Sequence, residues 1–453
     1  MDNPTRPMRL RRTRRGAFLT GTAALSASAL AACGAGTQGG GGAVDAAPAA
    51  QLKKGAKIVW AIDDGTTRTP LREEQIKMFS AKFPDITFEK ITGATGAEKL
   101  VSMFAADTPP DMFRQEGPGL GYFASRKQIS SLDPFIKRDK YDLSDFFPTS
   151  WLQWTWKGLR YGVPFQGIRN IYYNRALATQ INVKFPNTWK DANWTFETFL
   201  DAAKKVTIAQ GTSATRWGTA DIFTIRRQWS PWVWGNGGEL FNEDGTKILL
   251  DQPPAMEAIQ FIADLIHKHP VMPTPDELKA QGGQAALFQA GNLLAYHNSV
   301  NNVALNRRTV TFDWSMSAVP HGKGKQSRAG GGGVGWFMTS SSKVKDEVWE
   351  LMKVLASKES VRLEAERGEA PPSRRSVANE PAFINPPEPP KGDMKVIVEA
   401  LESVHTENVM INGTEIDAIL DAELGQIWTG KRTAKESVAE AVNKIKPLLN
   451  PAD

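Results

Sequence analysis

One cysteine, Cys33, and five histidines are all that 453 residues offer to thiol and imidazole chemistry. A lone cysteine cannot form an internal disulfide, so the fold rests on packing and not on covalent staples. His267, His269, His297, His321 and His405 are scattered. The one close pair, His267-Lys268-His269, puts its imidazoles on different helix faces, so no metal site and no cofactor is expected. The chain also lacks a G-x-S-x-G elbow and a phosphate-cradling G-x-x-x-x-G-K-[ST]. Gly330 to Gly333 form a glycine run without the lysine or helix start that a phosphate loop needs. A spread excess of charge is missing too. The formal charge is +6, but six arginines against Asp2 in the first fifteen residues account for nearly all of it. The remainder is almost neutral, which removes the electrostatic basis for a nucleic-acid partner.

Long apolar runs are equally scarce. The most apolar stretch, "GAFLTGTAALSASALAA" at 16–32, is too short and too rich in small residues for a bilayer span of about 20 strongly apolar residues. After an arginine-rich start it reads as an export signal, residues 1–33. It ends in Leu30-Ala31-Ala32-Cys33. That tetrapeptide resembles the lipobox of bacterial lipoproteins, in which the cysteine is acylated and becomes the new N-terminus. The Arg14-Arg15 pair with Phe18-Leu19 resembles a twin-arginine signal with one extra residue, and ordinary secretion stays open. Residues 34–54, Gly/Ala-rich and aperiodic, read as a flexible tether between lipid and domain.

What the chain has in quantity is apolar pattern and tryptophan, fourteen residues of it. A strand over 57–62, a helix over 70–82, the strand "DITFEK", a helix around Leu100 and Phe104, and the strand "PDMFRQ" alternate as in an α/β doubly wound sheet. "RYGVPFQ" and "RNIYYN" read as two strands joined by a turn. "NWTFETFLDAAKKVT" reads as a helix capped by Asn193 or Thr195, and "GGELFNEDGTKILLD" as a β-hairpin. Helices are expected near 259–266, 346–357 and through 395–449. At this length two lobes are expected.

Ligands of open α/β sheets sit beyond the carboxyl ends of the strands. Residues there with hydrogen-bonding or stacking side chains are Asp63 and Asp64, Glu116, Gln166, Asn298 and Trp336. A sugar asks for this mixture, indole faces for its C–H patches and amides or carboxylates for its hydroxyls. Asp63 and Asp64, being adjacent, point apart, so ligand binding or turn chemistry suits them better than paired acid–base work.

Several segments then occur in order: "PDMF", "YGVPF…IYYN", "WTFETFLDAAKKVT", "NGGELFNEDGTKILLDQPPAMEAIQFIADL", "LFQAGNLLAYHNS" and "GEAPPSRRSV". Together they resemble the extracellular solute-binding proteins of carbohydrate ABC importers, the maltose-binding-protein-like group, over about residues 55 to 445. The resemblance implies a two-lobe periplasmic-binding-protein fold with hinge crossings and a central cleft. By analogy lobe 1 is 55–115 plus 321–358, and lobe 2 is 116–320 plus 359–453. It implies a non-enzymatic, monomeric, exported receptor on the outer face of the cytoplasmic membrane. That receptor binds a carbohydrate and hands it to permease subunits. The carried-over cleft residues are Asp63 and Asp64, then Trp232, Trp234 and Asn236, then Trp336 and Arg374. Within "QWSPWVWGNGGEL" three indoles cannot all point one way, so Trp232 or Trp234 is expected to face the cleft while another packs. Two other readings stay open. A binder of glycerophosphodiesters or another polar solute would use Arg374 as its cationic anchor. An extracellular carbohydrate-active hydrolase would need two carboxylates across a scissile bond, which no spacing proposes.

Overall fold

A computed structural model of the protein describes residues 44–62, 68–93, 97–165, 167–210, 213–331, 333–391 and 393–452. The export signal, Cys33, Asp63, Asp64 and Gln166 lie outside the described residues. The described residues form one compact unit, and the two sheets below belong to it.

The chain begins with β1 (Lys57–Ala61), α1 (Arg68–Lys82), β2 (Thr87–Ile91), α2 (Ala97–Ala105), β3 (Met112–Glu116) and α3 (Gly117–Ser125). The alternation expected over this stretch is present, with β1 parallel to β2 and to β3. Leu71, Gln75 and Phe79 bury one stripe of α1, as their i, i+4, i+8 spacing requires. After three short helical or ribbon segments comes β4 (Gly162–Phe165), and two residues later β5 (Ile168–Asn174). These two were expected to pair across a turn. Instead the turn is the first interlobe crossing: β4 completes the first sheet, and β5 opens the second.

The second sheet follows with α4 (Phe196–Val206), β6 (Ile208–Gln210), β7 (Ser213–Ala220), α5 (Arg226–Gly235), α6 (Pro253–His267), β8 (Leu293–Ser299), β9 (Trp314–Ser317) and β10 (Gly330–Gly331). Its order is β9-β5-β8-β7-β6, with β10 also on β5. The chain then returns to the first sheet as β11 (Val334–Met338), giving the order β2-β1-β3-β11-β4. After α7 (Lys345–Leu355) a third crossing leads back to lobe 2, through segments whose Ala378 and Phe383 join its core. The tail helices α8 (Gly413–Trp428) and α9 (Ala434–Ile445) pack there. Lobe 2 has one large core. Lobe 1 has two, one on each face of its sheet: Trp60, Phe79 and Trp349 on one side, Phe113, Phe123 and Phe337 on the other.

The sequence-based boundaries need correction. Residues 116–165 belong mainly to lobe 1, because α3 and β4 are built into its cores and sheet, although Phe147 joins the lobe 2 core, and residues 321–331 belong to lobe 2. The tether also ends earlier than residue 54. Ala47 N–H donates to Pro134 O at 2.9 Å, Gln51 N–H to Asp346 at 2.9 Å and Lys53 N–H to Glu347 at 2.6 Å, so residues 47–53 lie along lobe 1. The 237–251 hairpin is reduced to one bridge, Phe241 to Ile248, around a positive-φ Gly245. Thr195, not Asn193, caps α4, its hydroxyl accepting from Thr198 N–H in a capping box.

Candidate functional site

The crossing between β4 and β5 brings four chain segments to one place: the end of β3, the start of β5, the β7–α5 connection and the loop before α8. Each contributes charge. Glu116, the last residue of β3, forms an ion pair with Arg227 in the first turn of α5. This pair joins lobe 1 to lobe 2. Partial burial pushes the Glu116 carboxyl up, but the guanidinium groups of Arg227 above all, then Arg114 and Arg169, together more than reverse this and hold it below the ordinary range. Arg226 turns the other way, to Glu407 at 2.9 Å and Asp417 at 2.6 Å. Burial and the neighbouring Glu407 charge raise Asp417 to about 6 in spite of Arg226.

Asp221, just past β7, accepts from the Thr224 hydroxyl and from the Gln228 amide at 3.1 Å, and burial raises its pKa. Arg169, the second residue of β5, is 7% exposed. It is opposite Ser299 of β8 and Gly330 of β10. Burial first and Arg227 second lower its pKa to about 10. His297 of β8 is fully enclosed, and burial with the Arg169 charge holds it neutral at about 3. Its Nδ1 lies 2.7 Å from Gln228 O, an arrangement that requires the proton on Nδ1. Beside this cluster a cavity of about 400 Å³ opens on lobe 2, lined by Asp221, Phe223, Thr224, Leu278, Lys279 and Gln284 among others. Asp221 belongs to both cluster and cavity. The volume falls within the usual range for small-molecule sites.

The residues expected from sequence fare unevenly. Glu116 reaches the interlobe border. Asn298 lies half-buried beside the register partner of Arg169, its Oδ1 accepting from Ser299 N–H at 2.7 Å. The aromatic candidates are enclosed. Trp232 is 0% exposed, its ring centroid 5.3 Å from Phe199 and 5.6 Å from Phe196, inside the lobe 2 core. Trp234 is buried against His405 with centroids 4.4 Å apart, and Trp229 is enclosed too. Asn236 is the C-cap of α5, its amide donating to Pro254 O at 2.7 Å. Gly237 N–H donates to Trp234 O and Gly238 N–H to Val233 O, the Schellman pattern of a helix end. Gly237 supplies the positive φ this needs, at 79°. The indole-rich stretch is thus a core helix with its stop signal, not a ligand platform.

Trp336 is also core, edge-on to Trp60 at 5.2 Å with the Arg72 guanidinium 4.7 Å above it. Arg374 is a clamp at the third crossing. It donates to Ala356 O at 2.6 Å and to Tyr141 at 3.0 Å, pairs with Asp145 at 3.2 Å and covers Phe146, so it is not the anchor foreseen for a polar solute. The residues that sequence reading missed are Arg169, Asp221, Arg226, Arg227 and Glu407. Three of them, Arg169, Arg226 and Arg227, carried a signal. Arginines in the first turn of a helix oppose its dipole, and an arginine inside an otherwise buried strand needs a reason to be there.

The sequence profile of bacterial extracellular solute-binding proteins matches residues 63–362. The fold matches an ABC substrate-binding protein of Listeria monocytogenes in complex with cycloalternan. That match has TM-score 0.76 and 20% identity, over 86% of this chain and 98% of that one. Maltose-bound MalE3 of T. maritima matches with TM-score 0.71 and 22% identity over 87% and 100%. UgpB of Mycobacterium tuberculosis in complex with glycerophosphocholine matches with TM-score 0.68 and 17% identity over 86% and 98%. With two lobes, three crossings and a polar cluster between them, the chain belongs to the bacterial extracellular solute-binding proteins.

Proposed function

We propose that the protein is the substrate-binding lipoprotein of an ABC importer, taking a carbohydrate between its lobes and presenting it to the permease. The observation that carries this reading is the Glu116–Arg227 pair, with Asp221 and Arg169 around it at the strand ends where the lobes meet. A ligand seated there touches both lobes. Only a ligand with such differential contacts shifts a two-lobed protein toward its closed state. The neighbours named above are complexes with cycloalternan, maltose and glycerophosphocholine, which supports a polar, hydroxyl-rich solute. Asp63, Asp64 and Gln166 remain proposed ligand contacts, at the ends of β1 and β4. Cys33 is proposed as the lipid-bearing residue, so that the protein acts as a monomer held at the outer face of the cytoplasmic membrane.

A thermal-shift screen of the protein from Gly34 onward against mono- and oligosaccharides tests the reading. A ligand at 100 times its Kd adds about 2.7 kcal/mol of stability. If no sugar stabilises the protein, the carbohydrate assignment fails. Release of reducing ends from mixed polysaccharides would instead favour the hydrolase reading. For the anchor, Cys33→Ser should remain unprocessed and lose detergent partitioning. A variant identical to wild type in mass and partitioning removes the lipoprotein assignment.

A further inference from the structure

Arg169 is the anomaly of the site. It is 7% exposed, and its buried Nε makes no hydrogen bond to any described residue. Its neighbours are engaged elsewhere, although one buried oxygen of Glu407, Oε1, is left without a hydrogen bond. Glu116 is held by Arg227, Glu407 by Arg226, and Asp221 by Thr224 and Gln228. Glu407, Glu116 and Asp221 act on Arg169 only through space, and the strongest charge upon it is the like charge of Arg227. A guanidinium carries five N–H donors in a planar fork. Buried donors left unmet cost free energy, and a buried unpaired charge costs more than a neutral group. A fold keeps such a group where something else completes it.

The position says what that is. Arg169 stands three residues beyond Gln166, just past the first crossing, where Ser299 and Gly330 are its register partners. It therefore lies at the interlobe border, within the charge cluster. A neutral sugar hydroxyl accepts from one or two donors and leaves the repulsion between Arg169 and Arg227 in place. A carboxylate or phosphate accepts two parallel N–H groups from the fork and offsets that repulsion as well.

We propose that Arg169 anchors an oxyanion of the solute, so that the site takes an acidic ligand, a uronate or a phosphate ester, in preference to its neutral parent. This rests on the reading of the interlobe border as the ligand site. Arg374 cannot play this part, being already satisfied by Ala356 O, Asp145 and Tyr141.

The test is calorimetric titration of the full chain in mild detergent. The probes are uronate-containing oligosaccharides and their neutral parents, hexose phosphates with the free hexoses, and glycerophosphodiesters. The expected result is an acid bound at least 100-fold more tightly than its neutral parent, weakening as salt rises. Arg169→Met should lose that preference and Arg169→Lys should recover part of it. Without ligand, Arg169→Met should melt no lower than wild type, since it removes a buried charge with no partner, whereas a merely structural arginine would lower the melting point on removal. The inference is overturned if no acid binds, if a neutral parent binds as tightly as its acid, or if Arg169→Met binds the acid like wild type. A glycerophosphodiester as tightest ligand would end the carbohydrate reading and leave the anchor standing. A neutral sugar as tightest ligand would do the reverse.

Discussion

The two ends of α5 differ more than any two neighbouring segments of the protein. Its first turn holds Arg226 and Arg227, which serve carboxylates from three other segments, one of them in the opposite lobe. Its last two turns hold Trp229, Trp232 and Trp234, which serve the interior of their own lobe. The helix thus enters the core with its aromatic end and meets the cleft with its charged end. Ten residues divide a folding task from a binding task. The division follows from where each cost is smallest: indoles gain most from full enclosure, while guanidinium groups need charged partners or ligand.

The largest effect that sharpens this contrast is expected at the aromatic end. Trp232→Ala should cost about 3–5 kcal/mol of unfolding free energy in a denaturant titration. The fraction that stays folded should bind ligand as wild type does. A variant of unchanged stability and weakened binding would return Trp232 to the cleft and break the comparison.

A second effect is expected where the lobes meet without charge. Gly121 of α3 lies so close to residue Met410 that a Cβ there would be 2.3 Å from Met410 O, and a Cβ at Gly413 would be 2.6 Å from Pro118 O. Val409 of the same segment packs on the smaller core of lobe 1. Gly121→Ala should therefore force the segment off α3 at a cost of about 1–3 kcal/mol. It should also enlarge the radius of gyration of the ligand-free protein in small-angle scattering. Lower stability at constant radius would mean that this contact serves lobe 1 alone.

A third effect is expected in the pH dependence. His297 lies between the two ends of α5, hydrogen-bonded to Gln228 O and close to Trp232. Its folded pKa, about 3, is below the ordinary 6.5. Below pH 6.5 the unfolded chain takes up a proton that the fold excludes. Stability should then fall as pH drops from 6.5 toward 3, by up to about 1.4 kcal/mol per unit. His297→Gln keeps a donor for Gln228 O and removes the titration, so its stability should fall less steeply over that window. Equal slopes would assign the acid sensitivity to carboxylates elsewhere.

The fold was legible in the sequence because β1-α1-β2-α2-β3 alternates locally, with apolar spacing that matches each element. The lobe boundaries were not legible, because β11 joins β3 and β4 across more than 160 residues and no local pattern announces such a return. The site was half legible. Glu116 lies where a strand end predicts it. The indoles misled because α5 is enclosed on nearly every side: from Gln228 to Gly235 each residue is buried, so no face stands out to spacing. Residue type marked the right helix and the wrong end of it.

The smallest effect is expected at Glu116, and it bears most directly on how the lobes are held together. The Glu116 side chain is 47% exposed, so the pair with Arg227 is a solvated one, worth about 0–1 kcal/mol. Glu116→Gln should scarcely move the melting temperature. Opening the lobes breaks this pair, however, so loss of the carboxylate removes a hold across the interlobe border. The ligand-free variant should therefore be more open than wild type, with a larger radius of gyration. Salt at 1 M, where screening acts within about 3 Å, should expand the wild type toward the variant and leave the variant nearly unchanged. If salt expands both alike, or neither, the ion pair does not govern opening. The hold between the lobes then lies in the glycine-mediated contact of α3 with residues 409–413, and the charged end of α5 is left to the ligand alone.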